Sequence, residues 1–313
     1  PWTTSVPNPV SLASSSLETI DFVKMLQECG DLTTSARQKR MCVFEPISEA
    51  GVHGSKKMKR TTPPISSLAA VKMSYGMTAL NRERAAYHVL HSLGIDQPAV
   101  AGPGDESQCA PSQSLWSFIF SMPRKCSVFS EWKSGVEQVY HLEAESDGLW
   151  RSLLSEPSFL GGKKEKADFK NRLAENTLAG GYWQKAINTL HTGLLVDALG
   201  MNPDRHTGNI VATKDGSEVY LIDNDNMFSG IYHGALAGMI RNAPLRTIGI
   251  SDSVIQKILN WDSSAHTEVL QELGIQKVTV DAFINRMRTL QGFLAHNNGR
   301  ELTLSHIDQL FGV

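Results

Sequence analysis

What this sequence lacks removes several classes of protein at once. No stretch of its 313 residues approaches the roughly 18 consecutive apolar positions that a membrane-crossing helix requires. No charged n-region followed by an apolar h-region stands at its start, so no secretory signal peptide is expected. Charge of one sign is missing too. Against 32 Asp and Glu stand 30 Lys and Arg, a net charge of -2, and nothing draws the whole chain to nucleic acid or to an anionic membrane. Only four cysteines are present, Cys29, Cys42, Cys109 and Cys126, with no C-x-x-C pair among them. Neither a zinc site nor a disulfide framework follows from that spacing, and a reducing compartment is the expected setting. There is no internal repeat and no domain-sized linker.

What is present suits a soluble globular protein: 41% hydrophobic and 20% charged residues, in a chain long enough for one two-lobed domain or two small ones. Residues 1–35 read as a leader, partly disordered, rich in Ser, Thr and Pro up to about residue 17 and with a short helix over Leu17–Glu28. Strands are expected at Met41–Pro46, at Leu68–Ser74, briefly after Pro98, at Leu115–Phe120 and at Cys126–Trp132. Gly51 and Gly54 mark a turn between the first two but do not make G-x-G-x-x-G. The basic run Lys56-Lys-Met-Lys-Arg60 reads as a solvated loop rather than as phosphate ligands, and Lys163–Lys170 as a solvated face, with a binding patch for an anionic partner as the lesser alternative. The spacing of Leu80, Ala86, Tyr87, Leu90 and Leu93 predicts a helix that Gly94 ends. Glu83 shares its apolar side, and a carboxylate turned toward a core is costly unless paired.

The pattern turns helical from about 137 onward. Helices are expected at 149–154 and 167–179, then over Tyr182–Leu199, where Trp183, Ile187, Leu190, Leu194 and Ala198 keep helical spacing and Gly200 stops the run. Four more follow at 252–261, 264–273, 280–295 and 303–311, with Ser251 or Asp252 as a cap and Gly274 as a stop. Strands early and helices late give an α+β class.

The chemistry concentrates in Asn202-Pro-Asp-Arg-His-Thr-Gly-Asn-Ile-Val and Val219-Tyr-Leu-Ile-Asp-Asn-Asp-Asn-Met-Phe. This reads as a tight loop carrying Asp204 and Asn209, a short hairpin, and a strand ending on Asp223. Asp204 and Asn209 are five positions apart, the Asp-to-Asn step of the kinase catalytic loop H-R-D-x-x-x-x-N. The three side chains suit one task. One carboxylate faces an attacking hydroxyl, while an amide and a second carboxylate hold divalent metal on nucleotide phosphates.

The order Asp-Arg-His followed by Asn, with Ile-Asp downstream, resembles the atypical kinases of the phosphatidylinositol 3-/4-kinase and actin-fragmin kinase superfamily and their bacterial relatives. The resemblance is specific over 194–228 and looser over 68–98. It implies a two-lobed protein kinase-like fold, with a small β-rich N-lobe over 36–133 and a larger helical C-lobe over 134–313. It makes Asp204 the catalytic acidic residue, and Asn209 and Asp223 the metal ligands. His206 either stabilises charge on the transferred phosphoryl group or braces the loop. Asp225 is either a second carboxylate near the metal or a solvated turn residue. Ala70-Val-Lys72 resembles the kinase strand whose Lys pairs the phosphates, and Glu83 is either the partner of that Lys or an edge residue pairing with Arg82 or Arg84 in solvent. Backbone groups around Phe129, Glu131 and Trp132 would face the adenine edge.

The implied cofactors are ATP with Mg or Mn, and the implied reaction is transfer of the γ-phosphoryl group to a hydroxyl. A protein Ser/Thr substrate is preferred, because no basic or amphipathic membrane-facing element stands out beyond 56–60 and 163–170. A phosphoinositide kinase, a small-molecule kinase, a nucleotidyl transferase and a pseudokinase binding module stay open beside it. The leader and the bacterial relatives suggest an intracellular, soluble effector, secreted by a bacterium into a host cytoplasm and associated with virulence. A host factor or anionic ligand could then act at a basic patch such as 56–60.

Overall fold

The computed structural model describes residues 44–49, 56–60, 68–74, 77–98, 100–101, 126–131, 133, 135–145, 149–154, 171, 182–229, 243–297 and 300–311. The leader and its helix, the Gly51–Gly54 turn, the strand at 115–120, Trp132, the run at 163–170 and all but Asn171 of the helix at 167–179 lie outside them. The chain divides into two compact units. One takes residues up to Tyr87 with Pro98–Lys133 and Glu272–Ile275, and the other takes His88–Gln97, Ser134–Gln271 and Gln276–Val313.

Among the described residues the first unit holds five antiparallel strands, β1 (Phe44–Glu49), β2 (Lys56–Arg60), β3 (Leu68–Ser74), β4 (Val100–Ala101) and β5 (Cys126–Glu131), in the order β1-β2-β3-β5-β4. Here the basic run departs from expectation. Lys56–Arg60 is a strand, paired to β1 on one edge and β3 on the other. Lysine has little strand preference of its own, but hydrogen bonding along both edges overrides so weak a local bias. In β3, Lys72 stands opposite Val128 and Val71 opposite Phe129.

Helix α1 (Met77–Ser92) follows. It buries Leu80, Ala85, Ala86, Val89 and Leu90, and Gly94 closes it with a positive φ of 72°. Glu83 is buried, on the side the spacing gave it, and so is its neighbour Arg84. Burial lowers the Arg84 guanidinium to about 10.

The second unit is built on α4 (Trp183–Gly200), after β6 (Glu137–Gln138), α2 (Val139–Glu145) and α3 (Leu149–Leu154). From Leu190 to Gly200 every residue of α4 is buried, as a helix surrounded by other elements requires. Two glycines allow that closeness. A Cβ on Gly193 would fall 2.5 Å from Leu221 Cδ1, and one on Gly200 would strike the Met227 side chain. The strands β7 (Ile210–Ala212) and β8 (Val219–Leu221) form an antiparallel sheet with β6 in the order β6-β7-β8, and β8 is buried along its whole length.

Against α4 pack α5 (Asp252–Leu259), α7 (Lys277–His296) and α8 (Leu304–Phe311), and α6 (Ser263–Glu272) comes between α5 and α7 in chain order. Ser251 caps α5, its side chain accepting from Val254 N. Helix α7 starts three residues before the expected boundary. It packs Phe283 edge-on against Phe228 at 5.2 Å and sends Arg286 Nε to Leu199 O at 2.7 Å, satisfying a carbonyl at the end of α4. Strands in one unit and helices dominating the other make the chain α+β. Among the described residues no helix is long and apolar enough to cross a membrane.

Candidate functional site

The site grows out of the end of α4. Met201 leaves the helix in the left-handed region at φ 55°, and Asn202 then holds the turn with both ends of its amide. Its Nδ2 donates to Asp197 Oδ1 at 2.8 Å, its backbone N–H to Asp197 O at 2.9 Å, and its Oδ1 accepts from Asp204 N at 3.1 Å. This side chain-to-backbone turn fixes the backbone of Asp204 and leaves the half-buried carboxylate projecting from it.

Thr207–Asn209 forms a single 3-10 turn, with His206 at its start. Asn209 is buried, and its Nδ2 donates to Asp204 O at 2.9 Å. The amide is thereby oriented, and its Oδ1 accepts none of the described hydrogen bonds. The Asp-to-Asn step is therefore a closed structure: the second residue's side chain holds the first residue's backbone. His206 braces this turn, its Nδ1 accepting from Gly208 N at 3.1 Å. A backbone amide can only donate, so Nδ1 carries the lone pair and the neutral ring keeps its proton on Nε2. Gly208 is needed for that brace, because a Cβ there would lie 2.9 Å from His206 Cε1.

Strand β8 brings the second segment alongside. Ile222 N donates to Asn209 O at 3.0 Å, and Leu221 N to the buried Gln97 Oε1 at 3.2 Å. The strand ends at Leu221, not at Asp223 as expected. Asp223 instead sits in the left-handed region at φ 58°, a strained position for a residue with a Cβ. Such strain persists where surrounding contacts over-determine it. They do so here: Asn224 Nδ2 donates to Leu221 O at 3.1 Å, and Phe228 N to Gly200 O at 2.9 Å. Asn226 Nδ2 forks between Asp204 Oδ2 at 3.4 Å and Asp225 Oδ1 at 3.2 Å, so two carboxylates share one amide.

The centre of the assembly is a residue to which the sequence reading gave no role. Arg205 is 4% exposed and spends its guanidinium on three segments. Nε and Nη2 reach Asp197 Oδ2 and Oδ1 at 2.8 and 3.1 Å, and Nη1 reaches Asn209 O at 2.7 Å and Ile222 O at 2.8 Å. Nη2 also donates to Asn224 Oδ1. Asp197 carried a signal in the sequence. It is a carboxylate in the last turn of an apolar helix, and the reasoning that singles out Glu83 applies to it with a basic partner eight positions on.

The structure thus brings Asp204, His206, Asn209, Asp223 and Asp225 into one hydrogen-bonded loop-and-turn assembly. Lys72 and Glu83 lie in the first unit, on β3 and α1, and Phe129 and Glu131 lie on β5. The side chains of Lys72, Phe129 and Glu131, and Trp132 altogether, are outside the described residues. Among the described residues no three His, Cys, Asp or Glu side chains gather closely enough to hold a metal by themselves. The donor set still suits a hard divalent cation that keeps phosphate and water ligands, because Asn209 offers an oriented amide oxygen and Asp223 a carboxylate. A separate cavity of about 410 Å³ in the second unit, lined by Asp96, Lys185, Thr189, Glu218 and Lys257 among others, includes none of the site residues.

No protein-family profile matches the chain, and no curated protein matches it in sequence. Among solved structures it is similar to a Helicobacter pylori proinflammatory kinase, CtkA, at 12% identity and a TM-score of 0.44, over 83% of this chain and 98% of that one. At that level of likeness the functional reading rests on the residues themselves.

Proposed function

We propose that the chain is a phosphotransferase that uses ATP with Mg or Mn and passes the γ-phosphoryl group to a hydroxyl, on a protein Ser or Thr. The observation that carries this reading is the Asp204–Asn209 closure. A projecting carboxylate and an oriented amide oxygen are fixed to one turn, which Ile222 N ties to the segment bearing Asp223.

The roles follow from the chemistry of each group. Asp204 accepts the proton of the attacking hydroxyl as the new O–P bond forms and the bond to ADP breaks. His206 presents Nε2–H, a donor suited to the oxygens of the transferred group, while Nδ1 holds the turn. Asn209 and Asp223, with Asp225 nearby, are the residues that would hold the divalent ion, which supplies charge neutralisation on the phosphates when bound. Lys72, with Glu83 as its expected partner, is assigned to the nucleotide phosphates, and the β5 segment at Phe129 and Glu131, with Trp132 after it, to the base. Those assignments rest on the sequence pattern.

The test is incubation with γ-labelled and, in parallel, α-labelled ATP, with Mg or Mn and a cell lysate as acceptor. Asp204→Ala and Asp223→Ala run beside the wild type. Label from γ alone, in protein, lost in both variants, supports the reading. Label from α would mean nucleotidyl transfer, and label extracted into organic solvent would mean a lipid acceptor. Neither incorporation nor metal-dependent nucleotide binding would leave a binding module.

A further inference from the structure

Arg205 and Asp197 have no place in the chemistry just described, yet they sit where its parts meet. Three separate stretches of chain must hold register if Asn209 and Asp223 are to act on one ion. They are the last turn of α4, the loop 202–209 and the turn 222–224. One guanidinium touches all three. Its fork on Asp197 anchors it to the helix, Nη1 pulls the carbonyls of Asn209 and Ile222 to a common point, and Nη2 adds the Asn224 side chain. The carbonyl of Asn209 belongs to one expected ligand, and that of Ile222 immediately precedes the other. Asp197 is itself fixed by Asn202, whose other end orients Asp204. Both charged side chains are nearly or fully excluded from solvent, so the fork is not loosened by competing water.

We propose that the Asp197–Arg205 pair is a positioning device that sets the spacing of Asn209 and Asp223, and through it the affinity for the divalent ion and its nucleotide. The proposal rests on the phosphotransferase reading. It assigns Arg205 no contact with substrate. Its planar fork does what an ammonium cannot, since Lys can satisfy the charge of Asp197 but cannot span that carboxylate and two carbonyls at once. Partners that orient metal ligands from behind typically change metal affinity by roughly 10–100-fold when removed.

The experiment uses the full chain and titrates Mn against the amount of labelled ATP that the protein retains in equilibrium dialysis. Wild type, Arg205→Lys and Asn224→Ala are compared, each with a thermal melt. Asn224→Ala removes one arm of the clamp together with the Nδ2 bond to Leu221 O, so Asp197→Asn, which keeps the acceptor oxygen Oδ1 and removes the charge, is measured beside them and decides where Arg205→Lys does not fold. The expected result is a half-saturating Mn concentration raised by roughly tenfold or more in Arg205→Lys and Asp197→Asn and by less in Asn224→Ala. The same shift should appear in the Mn dependence of turnover, with rate recovering at high Mn. Folded variants with a wild-type Mn midpoint would overturn the proposal and leave the phosphotransferase reading intact. A wild type that retains no ATP with Mn would overturn both.

Discussion

Arg205 forks onto Asp197 in a pair closed off from solvent, Nε to Oδ2 at 2.8 Å and Nη2 to Oδ1 at 3.1 Å, across eight residues of chain. A buried ion pair is weak evidence of stabilisation, because desolvating both charges costs about as much as their attraction returns. Its consequence here is geometric. The remaining donors of the same guanidinium fix the carbonyls of Asn209 and Ile222, so the helix end, the Asp204 loop and the Asp223 turn keep one arrangement. The groups proposed for chemistry sit around that arrangement, and each can be perturbed separately.

Gly208→Ala tests the His206 brace. The added Cβ would lie 2.9 Å from His206 Cε1 and 3.0 Å from Nδ1, so the ring must swing away. Turnover is expected to fall toward the roughly 100-fold loss typical of removing a charge-stabilising donor, with little change in the melting midpoint. His206→Ala should cause a similar loss, and the double variant should lose little more than either single one. Steady-state kinetics on the four proteins measure this, and fully additive losses would show that Gly208 acts elsewhere.

Asp223→Gly separates strain from function. Glycine adopts the left-handed φ of 58° without the Cβ penalty, so stability should stay within about 1 kcal/mol of wild type or rise. Nucleotide binding that depends on Mn should be lost with the carboxylate. Urea denaturation beside a Mn titration reads both, and a variant that retained Mn-dependent binding would remove Asp223 from the ligand set.

Gly193→Ala is a packing test away from the chemistry. Its Cβ meets Leu221 Cδ1 at 2.5 Å and Cδ2 at 2.8 Å, and Leu221 is fully packed beneath α4. Overpacking of this kind costs about 1–3 kcal/mol, and β8 should move with it. A lower urea midpoint with unchanged slope is the expected outcome. A midpoint equal to wild type would mean that Leu221 has room to turn aside.

Acid should destabilise the second unit through its histidines. His191 is fully buried and donates Nε2–H to Leu245 O at 3.2 Å, while Nδ1 has no partner among the described residues, and burial lowers it from 6.5 to about 4. His88, hydrogen-bonded to His266 at 2.9 Å, is lowered to about 4 by its own burial and then by the neighbouring His266 and His91. A folded-state value below the unfolded one means that the unfolded chain binds protons first. The contribution is therefore complete above about pH 6.5 and is lost as pH falls toward 4. For His191 alone it is at most roughly 3 kcal/mol. Melting midpoints between pH 7.5 and 4.5 should fall, and His191→Gln should flatten the curve.

Elements whose signal is local are legible in the amino-acid sequence alone. Periodicity placed α4 and the four C-terminal helices to within a few residues, and β3 matched its apolar run residue for residue. Loop chemistry was legible for the same reason: Asp204 and Asn209 are five positions apart, and one turn closes them. Tertiary structure decided what local preference could not. Lys56–Arg60 is a strand because β1 and β3 pair with it on both edges. Asp223 leaves its strand for a left-handed turn because Asn224, Gly200 and Leu221 hold the chain there. Arg205 drew no role from its flanking residues. Its importance lies in carbonyls at 209 and 222 and a carboxylate at 197, groups that only the packing of α4 against β8 brings within reach of one guanidinium.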